Sequence, residues 1–278
     1  MANTKIATSD VTSGSAGLFH LSELRIVLLG TRTCGKSSAG NTILNREEFE
    51  LTQTDQCLKR QGDVAGRRVT VVDTPGWRWN DPVEKTPELV RQEIVRSVSL
   101  CPPGPHTLLL VITLVLPFTD KDQRSVEGHL ELLGKSAWSH TIVLFTYGDC
   151  LGDTTIEQHI ESEGKALQWL VEKCGNRYHV FNNENRASAT QVTELLEKIE
   201  EVVAGNNEGH YEIDQTDVSQ THQQHPQPEF VKNPISKSIV KEEKTDGGQR
   251  KKLTKEMISN PTNFKHVDHI GWGPTLNS

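Results

Sequence analysis

The sequence predicts an α/β fold in which a mainly parallel β-sheet carries helices on both faces and is followed by a polar tail. Three observations predict it. From about Leu24 to Val203 short apolar runs alternate with amphipathic stretches, the pattern of strands buried on both faces and joined by crossover helices. A glycine-bounded turn, Gly30 to Gly35, stands between the first strand candidate and the first helix candidate. Beyond Gly205 branched apolar and aromatic residues thin out while Gln, Asn, Lys, Glu and Pro take over, so the last quarter of the chain cannot bury a core of its own.

The elements follow in order. The opening MANTKIATSDVTSGSAG is polar and lacks the apolar centre of a signal peptide, and reads as a disordered lead-in to a cytoplasmic protein. Leu24–Leu29 (LRIVLL) is a strand that runs into GTRTCGKS and a helix reaching about Asn45. After a polar stretch, Arg67–Asp73 (RRVTVVD) is a buried strand ending at the turn Thr74-Pro75-Gly76. Helical periodicity covers Pro87–Leu100, a strand starts at Thr107, and a helix spans Asp120–Leu133. A strand Thr141–Phe145, a helix from about Thr154 to Cys174, a strand Tyr178–Phe181 and a helix Ala189–Val203 complete the alternation. The longest apolar run, Thr107 to Phe118, falls short of the roughly 20 residues that cross a bilayer and fits a buried strand, so no membrane span is expected. The organisation read from this is a disordered N-terminus (1–21), an α/β domain (22–204), a disordered linker (205–249) and a basic C-terminal region (250–278).

Charge and cysteines narrow the classes. A formal net charge of -7 argues against a nucleic-acid partner, which needs clustered Lys and Arg over a large footprint. Five cysteines are an odd number, widely spaced, with no C-x-x-C pair or zinc spacing, and read as reduced thiols. Cys34, inside the glycine turn, has packing as its first role and oxidation as the alternative.

Gly30-x-x-x-x-Gly35-Lys36-Ser37 is the P-loop pattern, which makes the fold class a P-loop NTPase. Its backbone N–H groups surround phosphates, its lysine reaches the outer ones and its serine coordinates Mg2+. The phosphate candidates are Gly30, Thr31, Arg32, Thr33, Cys34, Gly35, Lys36, Ser37 and Ser38. Chance would produce this match in roughly one chain in a hundred of this length, and its place between a strand and a helix lowers that further. Asp73 ends a strand within Asp73-Thr74-Pro75-Gly76, where a carboxylate can hold the metal through water and the Gly76 N–H can sense a third phosphate. Thr54 is the candidate hydroxyl that closes on Mg2+, with Thr52 as competitor. The metal set is therefore Ser37, Thr54 and Asp73. In Thr146-Tyr147-Gly148-Asp149 the Asp149 carboxylate can accept both N1–H and the 2-amino group of guanine, which adenine does not offer together. An ordinary turn aspartate is the alternative. Asn182 and Asn183, at the end of the next strand, are placed for a second contact to the base.

At this point GTRTCGKSSAGNTIL, RRVTVVDTPGW, GPHTLLLVITLVLPFTDKDQ, LFTYGDCL and FNN resemble the GTPases of immunity-associated proteins, the GIMAP or IMAP family, over about Leu24 to Val203. The block opening Gly104-Pro105-His106 sets the resemblance apart from ordinary Ras-like GTPases. It implies a septin- and dynamin-related G domain that binds GDP and GTP with Mg2+, self-associates across the nucleotide face in the GTP form, and often hydrolyses slowly. The chain departs from the family in four places. Thr33 stands where glycine is common, and Tyr147-Gly148 replaces basic residues in the base motif. Pro117 occupies the position from which some members offer an arginine. Trp77, not glutamine, follows Gly76. An arginine is worth about 10^3 to 10^5 in GTPases that use one, so binding is the firmer expectation and hydrolysis the open one. His106 is open between a role at the dimer face and a structural one.

The tail carries a second pattern. Ile258-Ser259-Asn260-Pro261-Thr262-Asn263-Phe264-Lys265-His266-Val267-Asp268-His269-Ile270-Gly271 follows the basic run Arg250-Lys251-Lys252. It resembles the CRIB motif, with which effectors bind active Rho-family (Cdc/Rac class) small GTPases, and its continuation Gly271-Trp272-Gly273-Pro274 is similar to the Wiskott-Aldrich syndrome proteins. Only Ile270, for Val, departs from the fixed positions, and chance would give this below roughly once in a million. The contact set implied is Ile258, Ser259, Pro261, Phe264, His266, His269, Ile270 and Gly271. An extended segment of this kind adds a strand to its partner's sheet edge, while the basic run suits acidic protein surface or, weakly, anionic lipid. Three functions remain: a slow GTP-hydrolysing switch with a recruiting tail, a nucleotide-stabilised adaptor without turnover, and an ATP-dependent enzyme on the same loop.

Overall fold

The computed structural model describes residues 20–52, 54–183, 189–206 and 209–213. The tail motif, the basic run, nearly all of the N-terminal lead-in and most of the expected linker lie outside the described residues. Among the described residues six strands form one sheet: β1 (Glu23–Gly30), β2 (Leu58–Val64), β3 (Arg67–Asp73), β4 (Thr107–Thr113), β5 (Thr141–Thr146) and β6 (Tyr178–Val180), in the order β2-β3-β1-β4-β5-β6. All neighbours are parallel except β2 against β3. The helices are α1 (Lys36–Leu44), α2 (Glu88–Ser99), α3 (Asp120–Glu131), α4 (Ile156–Glu163), α5 (Lys165–Lys173) and α6 (Ala189–Gly205).

The two-residue period of a strand divides the apolar side chains between two cores. Leu24, Ile26 and Leu28 of β1 join Val69 and Val71 of β3, Ile43 of α1 and Leu195, Leu196 and Ile199 of α6. Val27 and Leu29 join Val72, Leu108 and Leu110 with Ile94 of α2, Leu130 of α3 and Leu170 of α5 on the other face. The expected sheet with helices on both faces is therefore present. The expected elements sit within a few residues of the observed ones, with three differences. β2 (LKRQGDV) lies in the stretch that reads as merely polar, because an edge strand with alternating partial exposure carries little apolar signal. The helix expected from about Thr154 to Cys174 is two helices, broken at Gly164, whose φ of 114° leaves the helical region. The apolar run from Thr107 stops being strand at Thr113, and Val115 and Leu116 beyond it are exposed.

Two contacts fasten the far end of the domain. Arg67, at the start of β3, meets Glu200 of α6 through paired bonds, Nε to Oε1 at 2.9 Å and Nη2 to Oε2 at 2.8 Å, both side chains being 7% exposed. Packing continues beyond α6: Tyr211 is buried, its N–H donating to Pro105 O at 2.7 Å and its hydroxyl to Leu133 O. His106, left open between two roles above, is buried at the N-terminal end of β4, bonded to Arg25, with the phosphate loop at the opposite end of the parallel strands.

Candidate functional site

Parallel pairing of β3, β1, β4 and β5 brings their C-terminal ends, and the segments that follow them, to one edge of the sheet, where α/β folds bind ligands. After β1 the chain turns through Gly30–Gly35 into α1. Gly30 has φ 151°, and a Cβ there would stand 2.7 Å from Val111 O and 2.8 Å from Cys34 Sγ. Gly35 has φ 95° and lies against Thr146. Thr33, the departure from glycine, keeps the left-handed conformation at φ 63°, at a cost of about 1 kcal/mol for a residue bearing Cβ. Its hydroxyl donates to Arg32 O at 2.6 Å. Cys34 is buried and its thiol is pushed up by burial, which makes it a packing residue rather than a reactive one.

The first turn of α1 holds the charged and hydroxyl groups. Lys36 is buried, with Nζ donating to Thr31 O at 2.8 Å. The Ser37 hydroxyl donates to Asp73 Oδ2 at 2.5 Å, joining α1 to the end of β3. Among the described residues Asp73 Oδ1 and Ser38 Oγ, both buried, have no hydrogen-bond partner. Burial holds the Asp73 carboxyl above its ordinary range, partly offset by Lys36 and the Ser37 bond. Buried polar atoms are nearly always satisfied, so two stranded oxygens beside a buried ammonium and a helix N-terminus mark a place for a ligand with its own donors or a cation. Among the described residues no group of three or more His, Cys, Asp or Glu could hold a metal by itself. One carboxylate and one hydroxyl suit Mg2+, which keeps waters and takes phosphate oxygens to complete its shell.

The Thr54 hydroxyl donates to Gln56 O at 3.0 Å. Gly76 is close: a Cβ there would lie 2.7 Å from Lys36 Nζ. After β5, Thr146 Oγ1 donates to Cys34 O at 2.8 Å and ties this strand end to the loop. Tyr147, at φ 62°, donates its N–H to Asn183 Oδ1 at 2.8 Å, and the Asn183 N–H donates to Asp149 Oδ1 at 2.8 Å. Asp149 and Asn183 thus form one clasp, whereas Asn182 is exposed and its N–H goes to Gln191. A Cβ on Gly148 would be 2.5 Å from Val180 Cγ1, so the glycine that replaces a basic residue here lets β6 approach.

Sequence reasoning named Trp77 only for standing where a glutamine does not, and passed over its packing and a cavity nearby. Trp77 is buried and its carbonyl accepts the Arg32 N–H at 2.6 Å. A cavity of about 430 Å³ also opens between the phosphate loop, Trp79, Leu116, Pro117 and Tyr147. The signal for the first was present in an aromatic directly after Asp73-Thr74-Pro75-Gly76.

A glycine loop between β1 and α1, a lysine and serine opening that helix and an acidic residue ending the neighbouring strand define a P-loop nucleotide-binding protein. The chain belongs to the AIG1 family, whose model matches residues 24–230, and residues 257–277 match the P21-Rho-binding domain. It is 35% identical to GTPase IMAP family member 8 of Homo sapiens over 202 residues, 70% of this chain and 30% of that protein. To immune-associated nucleotide-binding protein 9 of Arabidopsis thaliana it is 31% identical over 198 residues, 66% of this chain and 56% of that one. The chain thus spans under a third of the first and little more than half of the second. Among solved structures, Toc33 from Arabidopsis thaliana in complex with GDP and Mg2+ matches with a TM-score of 0.51 at 16% identity, covering 70% of this chain and 89% of that one. A structure of the chloroplast translocon components atToc33 and psToc159, for whose GTPase activity dimerization is important, matches with a TM-score of 0.53 at 16% identity, covering 67% and 85%. These two likenesses concern the fold. No described helix is long and apolar enough to cross a membrane.

Proposed function

We propose that this chain is a cytoplasmic guanine-nucleotide switch whose tail captures an active Rho-family small GTPase. The observation that carries the first half is the bonded pair Ser37–Asp73 beside Lys36, with Asp73 Oδ1 and Ser38 Oγ buried and, among the described residues, unpaired. In this reading the Gly30–Ser38 loop and Gly76 receive the phosphates of GDP or GTP, and Lys36 neutralises the outer ones. Ser37 and Asp73 would hold Mg2+, with Thr54 joining after its loop closes. Bound there, the metal supplies charge neutralisation on the phosphate oxygens. Asp149 accepts from guanine, steadied by Asn183, while Thr146 fixes the strand end and Asn182 stays a peripheral candidate.

The tail match at residues 257–277 supports the second half. Ile258, Ser259, Pro261, Phe264, His266, His269, Ile270 and Gly271 would order as an added strand on the partner, at some 2 to 5 kcal/mol of the contact energy, with the basic run adding a weak contact to anionic lipid. Self-association through the nucleotide face in the GTP form belongs to the same proposal.

Hydrolysis is slow in this reading. A second reading, an adaptor with no turnover, is favoured by the buried Trp77 and by Pro117 on the cavity wall, since neither can neutralise charge or orient water. Single-turnover assays with labelled GTP separate the two. Hydrolysis above background that disappears in Lys36→Ala supports the switch, and none in a protein that binds GTP supports the adaptor.

A further inference from the structure

The segment after β3 and the phosphate loop are joined edge to edge. Trp77 O accepts the Arg32 N–H at 2.6 Å, and Thr31 and Trp77 form a parallel bridge. Arg32 Nε donates to Gly76 O at 3.2 Å. The two carbonyl oxygens of Gly76 and Trp77 therefore point toward the loop, while Lys36 Nζ is bonded to Thr31 O. A Cβ on Gly76 would stand 2.7 Å from both Arg32 N and Lys36 Nζ, so the Gly76 backbone lies directly against the loop backbone and the end of the Lys36 side chain.

Trp77 anchors this arrangement. Its indole is 1% exposed and stacks on the imidazole of His129, with ring centroids 4.2 Å apart and planes 9° from parallel. His129 is fixed at both nitrogens, to Thr86 Oγ1 at 2.7 Å and to Ser125 O at 2.6 Å. The indole Nε1 is buried with no acceptor among the described residues. The seat thus suits the ring but leaves its N–H unmet, a cost that release would recover.

We infer that Arg32, Gly76 and Trp77 form a clasp that selects a nucleoside diphosphate over a triphosphate. This rests on the guanine-nucleotide reading and states how that site tells its two ligands apart. The inner phosphates lie against the N–H groups of the loop and the start of α1. A third phosphate extends toward Lys36 and Gly76, where the clasp offers acceptor oxygens instead of donors and backbone instead of space. An anion set against carbonyl oxygens gains no hydrogen bond for the water it loses. To admit it, the Gly76-Trp77 peptides must turn their N–H groups inward, which breaks the Arg32–Trp77 bond and draws the indole off His129. Arg32, released from Gly76 O, then stands next to the added charge.

The test is calorimetric titration of the full chain with GDP and with a non-hydrolysable GTP analogue in Mg2+. The clasp predicts that the wild type prefers GDP by at least about tenfold, and that Trp77→Leu and His129→Leu each bring the ratio toward one by tightening the analogue alone. Two variants are used so that one survives if the other fails to fold, and a melting curve with GDP identifies which does. Tryptophan emission of the wild type should shift to the red with the analogue but not with GDP, and Trp77→Phe should lose that shift. An unchanged ratio in a folded variant, or a wild type that takes both nucleotides equally, overturns the clasp while leaving the nucleotide site standing. Failure of both nucleotides to bind the wild type removes the site, and the clasp with it.

Discussion

The Ser37 hydroxyl donates to one oxygen of Asp73 at 2.5 Å, and the other Asp73 oxygen is buried without a partner among the described residues. The carboxyl is held above its ordinary value of 3.8, chiefly by burial. The folded state therefore binds the Asp73 proton more tightly than the unfolded state does. Without nucleotide and Mg2+, stability from this group is lost as pH rises from 3.8 through the raised folded value. At neutral pH the free carboxylate is a net cost, so Asp73→Asn should melt higher than the wild type without nucleotide. The same variant should lose the gain in melting temperature that GDP with Mg2+ gives the wild type. Calorimetric melts with and without GDP and Mg2+ check both halves.

The Arg67–Glu200 pair has its ions 2.8 Å apart, with both side chains 7% exposed. Removing one partner leaves a buried charge alone, which costs about 3 to 5 kcal/mol, whereas replacing both by apolar groups is often close to neutral. Glu200→Ala should therefore fall in urea stability by that amount, and Arg67→Met with Glu200→Leu should recover most of it.

Burial pushes His129 down from 6.5 to about 4, with the Ser125 carbonyl working the other way. The unfolded state binds more protons than the folded one between these values, so stability is complete above pH 6.5 and is lost as pH falls toward 4. The loss from this group reaches about 3 kcal/mol. His129→Leu should flatten that part of a urea-stability profile between pH 7 and pH 4.5. His106, likewise lowered to about 4 by burial and Arg25, keeps its own share of the slope.

In the tail, Phe264→Ala should weaken capture of a GTP-loaded Rho-family protein by at least about 2 kcal/mol, the scale of an aromatic anchor. His266→Ala and His269→Ala should act in the same direction. The affinity should not depend on the nucleotide held by the α/β domain, because a long polar segment joins the two in sequence. Surface-bound partner titrated with GDP-loaded and analogue-loaded protein checks this.

Legibility in the sequence followed the density of the physical signal. β1, β3, β4 and β5 are rich in buried apolar residues, and the P-loop spacing fixes glycines, lysine and serine around them, so both fold class and phosphate site could be read directly. β2 could not, since an edge strand of LKRQGDV looks like loop until β3 pairs with it. Gly164 inside an apparently continuous helix and Tyr211 beyond the expected end of the domain depend on tertiary contact that no local pattern encodes. Thr54 could be named only as a loop hydroxyl, and its hydroxyl is bonded to Gln56 O. The pairing of Asp149 with Asn183 and the stacking of Trp77 on His129 unite residues more than thirty positions apart, and had no sequence signature beyond the residues themselves.

The most direct test of the central claim is calorimetric titration of the full chain with GDP, the GTP analogue and ATP in Mg2+, with Ser37→Asn as control. The account predicts binding of both guanine nucleotides, no binding of ATP, and loss of Mg2+-dependent binding in the control. Equal binding of ATP, or no guanine-nucleotide binding by a folded wild type, would contradict it.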